Sequence, residues 1–250
     1  RLPFDLKSIA TRYRTIFKDK EFLLLILSLS ANFSAFFLYV LASPVFLIDL
    51  LGFTEKQFAY LFVPTVCGMI IGSFVAKKTA GIINPSRVTK FGYFWMLLIA
   101  LSNLIYCYFF DNNPIFNIGF IALYNIGMAA IMPIISIAAL DCFPKARGTA
   151  ASGQAFMQMF FSSAVAGVIV PICWFSTFGL SLGLFFILIF GLFFITRTKL
   201  WAYRSELWLI LTTVIDLVSS WLSSFSIFRM INSIYCITLL FNGCIFSKLN

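Results

Sequence analysis

Histidine is absent from this chain of 250 residues, and acidic side chains number only nine. Without imidazole, the commonest metal ligand and the usual proton shuttle near neutral pH are missing. The six cysteines (Cys67, Cys107, Cys142, Cys173, Cys236 and Cys244) follow no C-x-x-C or other ligand spacing, so neither a metal centre nor a dithiol redox pair is expected. A lone Cys in an apolar helix reads instead as a small, inert hydrophobe. No G-x-x-x-x-G-K-[ST] phosphate loop, H-E-x-x-H helix or G-x-S-x-G elbow occurs. The chain shows no catalytic apparatus, is not read as an enzyme and calls for no cofactor.

Charge is scarce as well. Only 11% of residues are charged, where soluble domains carry about 25%, while 61% are hydrophobic and 32 are Phe. With a mean hydropathy of +0.99, too little polar surface exists to cover a soluble domain, and the chain belongs in a bilayer. The net charge of +9 would suit nucleic acid if Lys and Arg gathered on one folded face. They sit between long apolar runs, so no nucleic acid partner is expected. Those runs are continuous rather than the roughly 10-residue alternating segments of a membrane barrel. The fold class is all-α, a polytopic transmembrane helical bundle with the lipid bilayer as its first partner.

The runs fall at 22–49, 58–76, 88–110, 115–140, 148–173 and 177–198, each close to the about 20 residues a spanning helix needs. Lys and Arg in the connections number six before the first run, one (Lys56) after it, and four between the second and third. None follows the third; two (Lys145, Arg147) follow the fourth, none the fifth and three (Arg197, Lys199, Arg204) the sixth. Alternate connections thus hold fifteen against one, which by the positive-inside rule puts both ends of the six-span unit in the cytoplasm. Residues 1–21 read as a charged cytoplasmic linker segment. They lack the apolar core of a signal peptide, and with Arg1 in place of Met the chain reads as a fragment lacking an upstream half.

Helix starts are marked by Thr54 with Gln57, a capping-box spacing, and by Asn84-Pro85 and Asn113-Pro114. Pro44, Pro64, Pro133 and Pro171 lie in or near spans, where each removes a backbone donor and can bend the helix. Gly68 with Gly72, Gly179 with Gly183 and Ser163 with Gly167 are small-xxx-small pairs that let helices approach. All eight Pro and thirteen of fourteen Gly precede residue 199. Residues 199–250 therefore read as an atypical tail, with possible further spans near 207–225 and 230–246 and an acid, Asp216, inside the first.

Ser28, Asn32, Phe36, Tyr39 and Ser43 recur every three or four residues in the first run, one polar face of a helix. Asn125, Met132 and Ser136 in the fourth run, and Gln154, Gln158 and Ser162 in the fifth, repeat the pattern. Such groups turn inward, toward partner helices or a water-filled pathway. The sixth run has Ser181 as its one polar residue between its ends and is expected to face lipid. Asp49, Asp111 and Asp141 stand at span ends, so the six runs hold no carboxylate relay of the kind a proton-coupled pump needs.

The junction Asp141-Cys-Phe-Pro-Lys-Ala-Arg-Gly-Thr-Ala-Ala-Ser-Gly-Gln154, the stretch Phe36-Phe-Leu-Tyr-Val-Leu-Ala-Ser-Pro44 and the turn from Gly52-Phe-Thr-Glu to Pro64 and Gly72-Ser resemble Bcr/CflA-type multidrug efflux transporters of the major facilitator superfamily. The resemblance covers about residues 8–198 and makes 22–198 the six-helix half containing family helices seven to twelve. It implies a bacterial inner-membrane drug:proton antiporter that works by alternating access, with a small amphipathic substrate and with protons handled by an N-terminal half. On that footing Asn32, Phe36, Tyr39, Asn125, Gln154 and Gln158 are the candidate substrate-binding residues, aromatics stacking on drug rings and amides hydrogen-bonding. Asp141 and Arg147 are a candidate cytoplasmic gating pair. The loop Lys77–Arg87 lacks the superfamily's Asp-Arg pair. The competing reading is a non-transporting membrane remnant or assembly subunit.

Overall fold

A computed structural model describes residues 6–54, 57–110 and 113–201. The tail expectations, Asp216 included, lie outside the described residues, as does Asp111. Among the described residues there are eight α-helices: α1 (Leu6–Lys18), α2 (Lys20–Leu41), α3 (Ala59–Thr79), α4 (Pro85–Phe109), α5 (Pro114–Asp141), α6 (Arg147–Ala164), α7 (Val170–Cys173) and α8 (Thr177–Ile195). Six segments are long and apolar enough to cross a membrane, α6 and α7 belonging to one of them. The protein is a multi-pass membrane protein with an all-helical fold.

Capping sets the boundaries. Asn84 and Asn113 accept from the backbone N–H of Ser86 and Ile115 at 3.0 Å ahead of first-turn prolines, satisfying donors a helix start leaves open. Ser176 does the same for Gly179 at 2.9 Å. Thr54 and Gln57 behave differently from the expected box. Gln57 Oε1 takes both the Thr54 N–H and the Thr54 hydroxyl, so the hydroxyl caps nothing, and α3 begins later, at Ala59. Pro64 and Pro133 sit inside α3 and α5. Pro44 and Pro171 instead border stretches of wider π-helix, Val45–Leu50 and Val165–Ile169; the second precedes Pro171, where a loosened turn relieves the clash of the ring with the carbonyl before it.

Packing distributes the helices unevenly. α5 lies along both α3 and α4, and α2 lies along α8, α6 and α5. The α3–α5 seam explains Gly68 and Gly72: a Cβ at either would run into the backbone carbonyl of Ala122 or Ile126, so these helices meet backbone to backbone. Gly92 and Gly127 do the same for α4 and α5 against Ile131, Met96 and Trp95, and the Trp95 indole donates to the Leu123 carbonyl at 2.9 Å. Gly179 and Gly183 approach Cys173. The Ser163–Gly167 pair packs against nothing: Ser163 is exposed and no atom lies within 4 Å of a Cβ at Gly167.

The expectation that the sixth run faces lipid is corrected by the structure. α8 packs against α2 and α4 with Leu180, Ser181, Leu184, Phe185 and Leu188 buried. Phe186, Phe190 and Phe193 on the rest of its surface are exposed, so the expectation fails for one face of α8 and not for the whole helix. The open helices are α3 and the α6–α7 segment, buried over only 28% and 17% of their apolar windows against 67% for α2.

Two further features were not apparent from the sequence. Residues 6–18, within the charged linker segment, form helix α1, which ends at Asp19, whose carboxylate caps α2 through the Phe22 N–H at 2.7 Å. Residues 199–201, at the start of the atypical tail, fold back on the bundle: Glu21 accepts the Lys199 N–H at 2.7 Å and Trp201 is 3% exposed against Tyr93.

The seam predicts the effect of added volume. Gly68→Ala and Gly72→Ala should each destabilise the bundle by about 1–3 kcal/mol, the usual cost of overpacking, read as a lowered thermal midpoint in detergent. Gly119→Ala and Gly167→Ala, with open space around the new methyl, should not lower it and should gain up to about 1 kcal/mol of helix propensity.

Candidate functional site

The polar face of α2 points inward as its spacing predicts, but it meets side chains rather than a cavity. Toward the N-terminal half of α2, Ser28 Oγ lies 2.6 Å from the Tyr93 hydroxyl, and Asn32 Nδ2 donates to the same hydroxyl at 2.5 Å. Tyr93 thus accepts from Asn32 and shares a second hydrogen bond with Ser28. The other amide atom, Asn32 Oδ1, is buried without a partner and lies beside Gly191 of α8, where a Cβ would come within 3.0 Å of it. Below Tyr93 sits Trp201, edge-on at 6.1 Å between ring centroids, with Lys90 Nζ 5.4 Å from the Trp201 ring. A cation over an indole face is a favourable pairing.

Eleven residues further along α2, a second cluster joins four helices. Tyr39 OH and Ser181 Oγ are 3.2 Å apart. Asn103 Nδ2 donates to both, at 3.2 and 3.0 Å. Ser181 gives its own proton to the Thr177 carbonyl at 3.0 Å, so Tyr39 donates to Ser181. The Cys107 thiol completes the set, 3.2 Å from Ser181 Oγ and 3.3 Å from Asn117 Oδ1. Cys107 is more than the small hydrophobe expected: its thiol is part of the network. Smaller links tie α6 in: Ser34 to Ser162 at 3.1 Å, and Gln154 Nε2 donating to Ser136 Oγ at 2.9 Å.

The six substrate candidates therefore separate. Asn32 and Tyr39 are fully buried and committed to helix–helix bonds. Asn125 is fully buried with both amide atoms lacking a partner, as is the hydroxyl of its neighbour Tyr124. Phe36, Gln154 and Gln158 are half-buried, Gln154 being held by Ser136. The gating candidates Asp141 and Arg147 are joined at 2.5 Å across the short turn Pro144–Ala146, with side chains 51% and 61% exposed. Such a solvated pair contributes at most about 1 kcal/mol. A cavity of about 510 Å³ lies elsewhere, between the starts of α3 and α5, lined by Phe53, Gln57, Tyr60, Pro64, Pro114, Ile115, Ile118 and Gly119.

Tyr93, Asn103, Cys107 and Asn117 were missed. Their signal was present, since Tyr93, Asn103 and Cys107 follow helical spacing along one side of α4, but apolar Met96 and Ala100 interrupt it and make a weaker stripe than that of α2.

A bundle of long apolar helices joined by buried polar clusters, with small residues at its closest crossings, is the architecture of a polytopic helical membrane protein. The family model of the Major Facilitator Superfamily matches residues 3–171, and the chain belongs to that superfamily. A bicyclomycin resistance protein homolog of Haemophilus influenzae is 31% identical over 160 residues, which cover 61% of this chain and 38% of that protein. The multidrug resistance protein MdtM of Escherichia coli O157:H7 is 31% identical over 77 residues, covering 31% of this chain and 19% of that protein. The chain thus aligns with less than two fifths of either relative, and the resemblance to Bcr/CflA-type proteins holds at that extent.

The network makes Tyr93 a test. Interhelical hydrogen bonds in bilayers average about 0.6 kcal/mol, but Tyr93→Phe strands an Asn32 amide that already has one unpaired atom. A cost of about 1–2 kcal/mol is expected, measured by thermal or denaturant unfolding, with exposed Tyr60→Phe neutral.

Proposed function

We propose that this chain supplies the six-helix half, family helices seven to twelve, of a drug:proton antiporter of the bacterial inner membrane. It exports small amphipathic compounds and does not transport alone. The carrying observation is the unequal burial of the helices: α2, α4, α5 and α8 are packed together, whereas α3 and the α6–α7 segment leave Val63, Val66, Ile70, Phe74, Phe156 and Phe160 exposed. In this reading those two faces meet the complementary half. Carboxylates among the described residues stand only at or near helix ends, at Asp19, Glu21, Asp49 and Asp141, which supports placing the proton-coupling acids in that other half. The names of the two relatives, with their bicyclomycin and multidrug resistance, favour drug-like cargo.

Recognition falls to Asn125, Phe36, Gln154 and Gln158, the candidates not spent on helix–helix bonds to α4 or α8. Asn32 and Tyr39 act behind them by fixing α2 to those helices. Asp141 and Arg147 tie the ends of α5 and α6 together on the cytoplasmic side, where the cation count places both ends of the unit.

Proteoliposomes test this directly. The chain alone should show no proton-dependent dye efflux above empty vesicles, and co-reconstitution with a complementary six-helix half should restore it. Asn125→Ala should then lower efflux of some dyes and not others. Efflux by the isolated chain overturns the need for a second half. In whole cells Lys78→Cys and Lys145→Cys should react with impermeant maleimide only after the cytoplasmic face is opened; labelling from opposite faces overturns the orientation.

A further inference from the structure

Helix α1 has the composition of a helix that lies on a membrane: Leu, Ile and Phe at helical spacing, interleaved with Lys7, Arg12, Arg14 and Lys18. Helices of that kind ordinarily sink their apolar face into the headgroup boundary. Here the protein has taken that face. Ile16 is buried to 2%, Phe17 lies against Gly153 near the start of α6, and the Tyr13 hydroxyl is 2.7 Å from Ser152 Oγ. A single extended residue, Asp19, separates α1 from the spanning helix α2, which holds α1 at the membrane surface. With the apolar side docked on α6, the side left to the surroundings carries Arg14 and Lys18, one helical turn apart and both exposed, followed by exposed Lys20.

These cations have no carboxylate partner among the described residues. Asp19 and Glu21, which flank Lys20, keep their charge but are turned to the backbone N–H groups of Phe22 and Lys199, and Asp141 pairs with Arg147. Arg14, Lys18 and Lys20 are thus three exposed cations without an ion pair among the described residues, beside the start of the spanning helix α2. The chemistry that complements them there is the phosphate of an anionic lipid.

We propose that the Arg14–Lys18–Lys20 face is a docking surface for the headgroups of anionic phospholipids in the adjacent leaflet. It works by charge, since Tyr13, Ile16 and Phe17 of α1 are already held by the bundle. Two consequences separate this from ordinary amphipathic-helix binding: the lipid preference collapses at high salt, because exposed charges are screened, and it does not require α1 to leave the bundle. The inference is independent of the transport reading, because it needs only a bundle seated in a bilayer.

The experiment is native mass spectrometry of the full chain, purified in a neutral detergent and given equal amounts of phosphatidylglycerol and phosphatidylcholine. The wild type should retain phosphatidylglycerol preferentially. Each cation removed should weaken that retention by about fivefold, the factor expected for one basic side chain at an anionic surface. R14Q/K18Q/K20Q should bind both lipids alike, whereas the charge-keeping R14K/K18R should behave as wild type. Unchanged helix content by circular dichroism checks that α1 and the bundle persist. Equal retention of the two lipids by the wild type, or an undiminished preference in the triple variant, overturns the proposal. Displacement of phosphatidylglycerol by an equal concentration of inorganic phosphate also overturns it, since the surface would then be a site for soluble anions.

Discussion

A polar group placed inside a bilayer-spanning bundle has no water to fall back on, and most of what is specific in this structure follows from that constraint. Tyr93 and Asn103, ten residues apart on α4, are where it is met. One holds Ser28 and Asn32 of α2; the other holds Tyr39 of α2 and Ser181 of α8. Because each partner needs its bond more in hydrocarbon than it would in water, the two clusters fix the rotation and the height of α2 against α4 and α8. An apolar interface between the same helices would leave both degrees of freedom to packing alone.

The remaining crossings are fixed by the absence of side chains. Gly68 and Gly72 let α3 reach the carbonyls of Ala122 and Ile126, while Gly92 and Gly127 bring α4 to α5. Association of membrane helices rests on such close packing because lipid tails are as apolar as Leu. The bundle therefore has two kinds of seam, hydrogen-bonded around α2 and α8 and close-packed around α5. α6 is joined by lighter links, Ser34 to Ser162 and Ser136 to Gln154, and its continuation through the π-helical turn and Pro171 is the least buried part of the fold.

Long apolar runs, capping Asn-Pro pairs and the signature from Asp141 to Gln154 made the six spans and the family legible in the sequence, because each is a local property of the chain. The inward face of α2 was legible for the same reason, as a stripe of Ser28, Asn32, Tyr39 and Ser43. What those residues meet was not, since it depends on helices far along the chain. Ser181 shows the difficulty: one hydroxyl in an otherwise apolar helix looks like a lipid-facing segment, yet it is shared by Tyr39, Asn103 and Cys107. Residues 6–18 and Trp201 were missed for another reason. Charge dominated the reading of the first segment and loss of Pro and Gly that of the last, and neither property reports on burial against α6 or Tyr93.

The polar groups that the clusters do not satisfy are as informative as those they do. Asn32 Oδ1, the Tyr124 hydroxyl and both amide atoms of Asn125 are buried without partners, and each costs of order 1–3 kcal/mol if left unmet. They are neutral groups able to donate and accept, which suits hydrogen bonding to water or to varied uncharged parts of a small molecule. They are poorly suited to carrying protons at physiological pH, because amides and a phenol do not titrate there. With the described carboxylates confined to helix ends, the described interior between α2, α4, α5 and α8 is furnished with neutral hydrogen-bonding groups.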